Sequence, residues 1–296
     1  MSRARKHLGI LVATDGSPAA NLAVDWAARE AVLHRLPLSI LHVVESPSVA
    51  MFPQVPMPLE LIDLLNQKGQ DLLEAAMKTA EQATAGEDLA IRTELLTAGV
   101  LPLLIDLSKD VHMIVVGCRG LGAVGRRLLG SITWGLLHHA KGQVAIIHGE
   151  APPGSDPAST APVVVGIDGS PASESATAVA FDEASRRGVE LIAVHAWSDM
   201  RVYELPGCEV SALRREAELA LGERLAGWQE QYPEVVIRRV VDMDRPKDLL
   251  LEQSNSAQLT VLGSHGRGGF AQMLLGSVSS AVAESARTPV LVVRPS

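Results

Sequence analysis

Aromatic residues are scarce in this chain, at 3% of the sequence, and a platform for single-stranded nucleic acid is built from aromatic faces. Basic charge is short as well. The 34 acidic residues outweigh 26 basic ones for a formal net charge of −8, whereas a surface that tracks a phosphate backbone must be basic. No nucleic-acid partner is expected. Cysteine is limited to Cys118 and Cys208, which stand in no metal-ligand spacing. A reduced, cytoplasmic protein with no protein-held metal is therefore the expectation. Long apolar runs are missing too: the opening stretch MSRARKHLGILVAT is basic and then enters a short strand-like run, which fits neither a signal peptide nor a membrane span. No membrane partner is expected.

What the chain does have is length, apolar content and a repeat. Its 296 residues suffice for two ordinary domains, and 47% hydrophobic content places it among globular proteins. VATDGSPAA at Val12 to Ala20 returns as VGIDGSPAS at Val165 to Ser173, and GCRGLGAVGRRLLGS at Gly117 to Ser131 returns as GSHGRGGFAQMLLGS at Gly263 to Ser277. The chain is a tandem duplication. Asp15 and Asp168, like His42 and His195, are farther apart than Gly117 and Gly263 or Ile91 and Ile237, so the copies differ in length between their second and third strands. The proline-rich loop ESPSVAMFPQVPMPLE is the simplest place for that difference. Residues 149–161, rich in proline and small residues, read as a linker between domains at 1–148 and 162–296.

Within each copy, apolar runs of strand length alternate with helical patterns. LGILVA, LSILHVV, AIRTELL, HMIVVG and QVAIIH are the strands of the first copy; PVVVGI, ELIAVHA, VIRRVV, LTVLG and PVLVVR are those of the second. Pro18 and Pro171 stand at helix starts, where a missing N–H costs nothing. Val210, Leu213, Ala217, Leu221, Leu225 and Trp228 recur at helical steps and make one apolar face. Apolar strands alternating with helices imply a parallel sheet covered on both sides. The fold class is α/β, with two tandem doubly wound five-stranded domains and ligands beyond the carboxyl ends of the strands.

The glycine-rich stretch has three readings. GLGAVG at Gly120 to Gly125 satisfies a dinucleotide fingerprint, but it follows the fourth strand instead of the first, and no acid stands roughly 20 residues beyond the second copy's match. GRRLLGS at Gly125 to Ser131 has the glycines and hydroxyl of a P-loop but lacks its lysine. Both copies share G-x-x-G-x9-G-S: Gly117, Gly120, Gly130, Ser131, and Gly263, Gly266, Gly276, Ser277. In that pattern Gly117 and Gly263 are expected to let a ribose or phosphate lie against bare main chain. Gly120 and Gly266 are expected at positive φ, aiming N–H groups inward as an anion nest. Gly130-Ser131 and Gly276-Ser277 open a helix whose free N–H groups favour an anion.

The VxxDGSP opening, the LHVV second strand and the double glycine motif resemble the universal stress protein family in its tandem, ATP-binding form. The resemblance spans the chain apart from the linker. It implies a Rossmann-like fold of the adenine nucleotide alpha-hydrolase kind with strand order 3-2-1-4-5, and one adenine nucleotide per domain, ATP with magnesium. It places Asp15 and Asp168 beside the adenosine, with Ala13 and Gly166 two residues before them, and the main chain of Val43 and Ala196 at the adenine edge. The motif glycines and serines, followed by Ile132 and Val278, would hold ribose and phosphates. Arg119, Arg126, Arg127, His265 and Arg267 either face phosphates or are solvated loop charges. The implied function is a nucleotide-dependent regulatory or stress-response module with no catalytic residue; a slow magnesium-dependent ATPase is the alternative, and an oxidoreductase a distant third.

Asp15 and Asp168 also suit a turn before a helix, and both roles can hold together. His42 and His195 read as hydrogen-bonded core histidines, and His138 and His139 as cations at a helix end. Ala13 in place of Gly166 is expected to push a ligand outward and leave the second site the tighter. An apolar edge strand invites aggregation, so the two fifth strands are expected to cover each other within the chain; a homodimer is a further expectation.

Overall fold

The computed structural model describes residues 9–45, 59–120, 129–148, 160–197, 210–243, 245–266 and 275–295. The core of the loop expected to carry the length change, most of the expected linker, and Arg126, Arg127 and Arg267 lie outside the described residues. The chain divides into two compact units, residues 1–149 and 150–296.

The first unit runs β1 (Ile10–Ala13), α1 (Pro18–His34), β2 (Leu38–Val44), α2 (Leu59–Ala83), β3 (Ile91–Thr97), α3 (Val100–Leu107), β4 (Met113–Gly117), α4 (Ser131–His139) and β5 (Gln143–Ile147). Its strands are parallel in the order β3-β2-β1-β4-β5. The second unit repeats the plan as β6 (Val163–Gly166), α5 (Pro171–Arg187), β7 (Leu191–Trp197), α6 (Val210–Gln231), β8 (Ile237–Met243), α7 (Pro246–Ser254), β9 (Leu259–Gly263), α8 (Ser277–Ser285) and β10 (Val290–Val293). Its order, β8-β7-β6-β9-β10, is the same. The fold is the doubly wound one the alternation implies, and the strand order is the one the family resemblance adds.

Central strands are covered on both faces, which is why they read as unbroken apolar runs: Ile10, Val12, Met113, Ile114 and Val115 are fully buried, as are Val163, Val164 and Val165. The outer strands β3 and β8 are instead largely open, with Arg92, Thr93 and Glu94 exposed on one and Arg238, Arg239 and Asp242 on the other. Small residues bring α1 close to the sheet: Ala20, Ala23, Ala27, Ala28 and Ala31 are buried along it. Its start is fixed by Ser17, whose hydroxyl accepts the N–H of Ala20 at 3.2 Å, with Pro18 in the first turn. Ser170 and Pro171 open α5 in the same way. The apolar face expected on α6 is built at its carboxyl half, where Leu221 and Leu225 are buried and Trp228 stacks on Phe181 with ring centroids 6.1 Å apart. Among the described residues, no helix is long and apolar enough to cross a membrane.

The consequence for function is positional. In each unit the chain winds outward in one direction from the first strand and returns to its other side for the fourth. A crevice therefore opens between the carboxyl ends of β1 and β4, where open α/β sheets bind ligands.

Candidate functional site

A cavity of about 600 Å³ fills that crevice in the first unit. All nine residues expected to touch a ligand in this copy line it: Ala13, Asp15, Val43, Gly117, Arg119, Gly120, Gly130, Ser131 and Ile132. They come from the ends of β1, β2 and β4 and the start of α4.

The floor is made by the DGSP turn. Gly16 and Gly169 both sit at φ 77°, a conformation open to glycine and strained for most other residues. This lets the Asp15 carboxylate fold back to accept the N–H of Ser17 at 3.0 Å, and Asp168 that of Ser170 at 2.9 Å. The serine then works in two directions. Besides capping α1, the Ser17 hydroxyl donates to the carbonyl of Arg119 at 3.3 Å, and Ser170 donates to that of His265 at 3.1 Å. One side chain thus starts a helix and tethers the glycine loop after the fourth strand.

One glycine role adds to the sequence expectation and another departs from it. A Cβ on Gly117 would stand 2.7 Å from the carbonyl carbon of Ala19 and 2.9 Å from the nitrogen of Ala20, and one on Gly263 would meet Ala172 and Ser173 in the same way. These glycines are required by close packing of strand against helix, and Gly117 also lines the cavity. Neither Gly120 nor Gly266 lies in the left-handed region. A side chain there would run into the carboxylate of Asp15 or Asp168. Their role is to let loop and aspartate approach each other, so the nest expected from positive φ is not formed at these residues.

Gly130 and Gly276 are the caps of α4 and α8, and neither helix start has a side-chain cap among the described residues. Their N–H groups close the loop by donating to the carbonyls of Cys118 at 2.9 Å and Ser264 at 2.7 Å. Ser131 and Ser277 are exposed in the first turn, with Ile132 and Val278 half-buried beside them. First-turn N–H groups at such a start, with the helix dipole behind them, favour an anion. His42 Nδ1 donates to the carbonyl of Thr14 at 2.7 Å and His195 to that of Ile167 at 2.6 Å; His42 also lines the cavity. His138 and His139 occupy the last turn of α4.

The second unit brings Gly166, Asp168, Gly263, Gly266 and Gly276 into matching positions, with Asp168 against Gly266, and Gly276 beside His265 and Gly266. Ala196 lies at the end of β7 opposite Asp242. Arg267, expected at the phosphates, is outside the described residues.

Residues 9–148 and again 160–294 match the universal stress protein family. The chain belongs to that family. It is 50% identical over 297 residues to Universal stress protein Rv2005c of Mycobacterium tuberculosis (strain ATCC 25618 / H37Rv), covering 100% of both chains. It is 51% identical over 298 residues to Universal stress protein Rv2623 of the same organism, covering 100% of this chain and 99% of that protein. The crystal structure of a universal stress protein from Archaeoglobus fulgidus DSM 4304 shares the fold with a TM-score of 0.70 at 20% identity, covering 98% of this chain and 99% of that one.

In this universal stress protein Thr14, Ala20, Leu41, Val100, Val116, Leu129 and Thr133 also line the cavity, beyond the residues the motifs single out. Thr133 was the most legible of them. Setting GSIT beside GSVS shows a hydroxyl two residues after the motif serine in both copies.

Proposed function

We propose that the chain is a cytoplasmic nucleotide-dependent regulatory module that binds one ATP, with magnesium, in each unit. The observation that carries this reading is the cavity between β1 and β4. Its volume suits a single nucleotide, it lies at the switch point of the sheet, and Gly117, Gly120, Gly130 and Ser131 of the family's ATP-binding motif line it. Bound ATP supplies adenosine as the recognised body and a triphosphate as the charge to be sensed. Asp15 and the main chain at Val43 would hold the adenosine. Gly120, Gly130, Ser131 and the first turn of α4 would hold the phosphates, with Arg119 as their counter-charge. Asp168, Ala196, Gly263, Gly266, Gly276, Ser277 and Val278 would do the same in the second unit. Occupancy then sets a conformation or a surface read by a protein partner.

Mass spectrometry of nucleotide released from protein purified without added ligand tests the ligand, and calorimetry with MgATP tests the number of sites, two per chain. Flavin or nicotinamide in place of adenine nucleotide sinks the reading. Steady-state hydrolysis separates it from an enzyme: turnover of about 1 per second or faster lies in the ordinary enzymatic range and overturns a binding module.

A further inference from the structure

We infer that Thr133 and Ser279 are positioning residues for the phosphate end of the two sites, an inference that rests on the nucleotide reading above. The Thr133 hydroxyl donates to the carbonyl of Gly117 at 2.9 Å, and Ser279 donates to that of Gly263 at 2.6 Å. Both side chains are buried, at 3% and 7% exposure, so water does not readily replace the bond. Elsewhere in this chain, the buried helical hydroxyl of Thr177 turns back to the carbonyl four residues earlier in its own helix, the usual local choice. Thr133 and Ser279 instead reach the strand before the glycine loop.

Their position explains what the bond does. Helical side chains lean toward the amino end, so a hydroxyl in the first turn points at the strand end that the loop has just left. The next carbonyl along, that of Cys118 or Ser264, already accepts the N–H of Gly130 or Gly276. Two consecutive carbonyls of the strand end are therefore held by two groups of the helix start. One bond fixes a distance and leaves a pivot; two also fix the rotation about it. The first-turn N–H groups of α4 and α8 are thereby aimed into the crevice, where a phosphate needs its donors set in advance. One copy uses threonine and the other serine, so the hydroxyl is the shared element and the methyl is not.

The test is calorimetry on the full chain with two probes, MgATP and adenosine, for wild type, Thr133→Ser and Thr133→Val. The serine variant is expected to bind both probes as wild type does. The valine variant, of the same shape without the hydroxyl, is expected to lose about tenfold in MgATP affinity at one of the two sites, the worth of one hydrogen bond, with adenosine affinity changed less than about twofold. Equal loss of both probes marks a general loosening of the unit and overturns the positioning role, as does MgATP binding unchanged from wild type. Should Thr133→Val fail to fold, Ser279→Ala against Ser279→Thr puts the same question to the second unit. A wild-type chain that binds neither probe overturns the nucleotide reading itself, and the positioning role with it.

Discussion

Leu262 fills the space that a methyl on Gly166 would need: a Cβ there would stand 2.9 Å from Leu262 Cδ2 and 3.3 Å from Leu250 Cδ2. The corresponding neighbours in the first unit are Ala13 and Val116, which both line the cavity. One copy thus sets alanine beside valine and the other glycine beside leucine. Bulk removed from the first strand is returned by the fourth, so Ala13 by itself no longer argues for a looser first site. Gly166→Ala is expected to destabilise the second unit by roughly 1–3 kcal/mol, as overpacking does, and Val116→Leu to do the same in the first. Adding Ala13→Gly to Val116→Leu should recover most of that loss. Denaturant unfolding of the single and double variants checks it; strictly additive effects would mean that the two positions do not share space.

Gly117 and Gly120 separate stability from binding. Gly117→Ala drives a methyl into the main chain of α1, which cannot move without leaving the sheet, and a loss of about 1–3 kcal/mol is expected. Gly120→Ala meets the end of the Asp15 side chain instead, and the aspartate can swing away. That variant should keep its thermal midpoint within a few degrees while MgATP affinity falls at one site. The pair of measurements is thermal unfolding beside calorimetry, and a stable Gly117→Ala with weakened binding would restore a direct ligand contact for that glycine.

Gly130 and Gly276 are the places to reverse the charge at a helix start. A Cβ on Gly130 would find its nearest neighbour at 3.5 Å, ordinary contact, whereas one on Gly276 would be 3.2 Å from the Cα of His265. Gly130→Glu is therefore expected to fold normally and to bind one nucleotide per chain in place of two, because its carboxylate stands where a phosphate should. Gly276→Glu should remove the second-unit site with some added strain. Unchanged stoichiometry in both would put the phosphates elsewhere.

Ser17 carries two bonds that a serine-to-alanine change deletes together. Loss of the cap alone is worth about 1 kcal/mol. Because the same hydroxyl holds the carbonyl of Arg119, Ser17→Ala should also weaken MgATP binding in the first unit. Ser17→Gly tests the split: glycine is a tolerable cap, so most stability should return while the loop stays untethered. Recovery of full affinity in that variant would leave the tether without a role.

The duplication, the alternation of strands and helices and the position of the glycine motif were all legible in the sequence, since each is a pattern along the chain. Strand order came only with the family resemblance, because sequence spacing does not say on which side of β1 the chain returns. The glycines show the limit most clearly. A glycine announces that a side chain is not tolerated, but the obstacle at Gly117 is the start of α1, far earlier in the chain, and at Gly120 it is Asp15. Only packing reveals which neighbour forbids the side chain. The repeat shows the hydroxyl of Thr133 but hides its partner for a related reason: in a helix a hydroxyl normally serves its own turn, and nothing local says that this one reaches the carbonyl of Gly117.

Helices α1 and α5 begin with a serine that finishes their first turn, while α4 and α8 begin with a glycine that has no side chain to offer. In solution the amide protons of Ile132 and Thr133, and of Val278 and Ser279, should therefore exchange quickly until a phosphate takes them. Their protection, followed residue by residue, becomes a label-free gauge of how full each half is. A ligand at a hundredfold excess over its dissociation constant adds about 2.7 kcal/mol to whatever it occupies. A chain whose halves differ in affinity would thus pass, as nucleotide supply falls, through a state with one half firm and the other softened. Such a graded response could distinguish a modest shortage from a severe one.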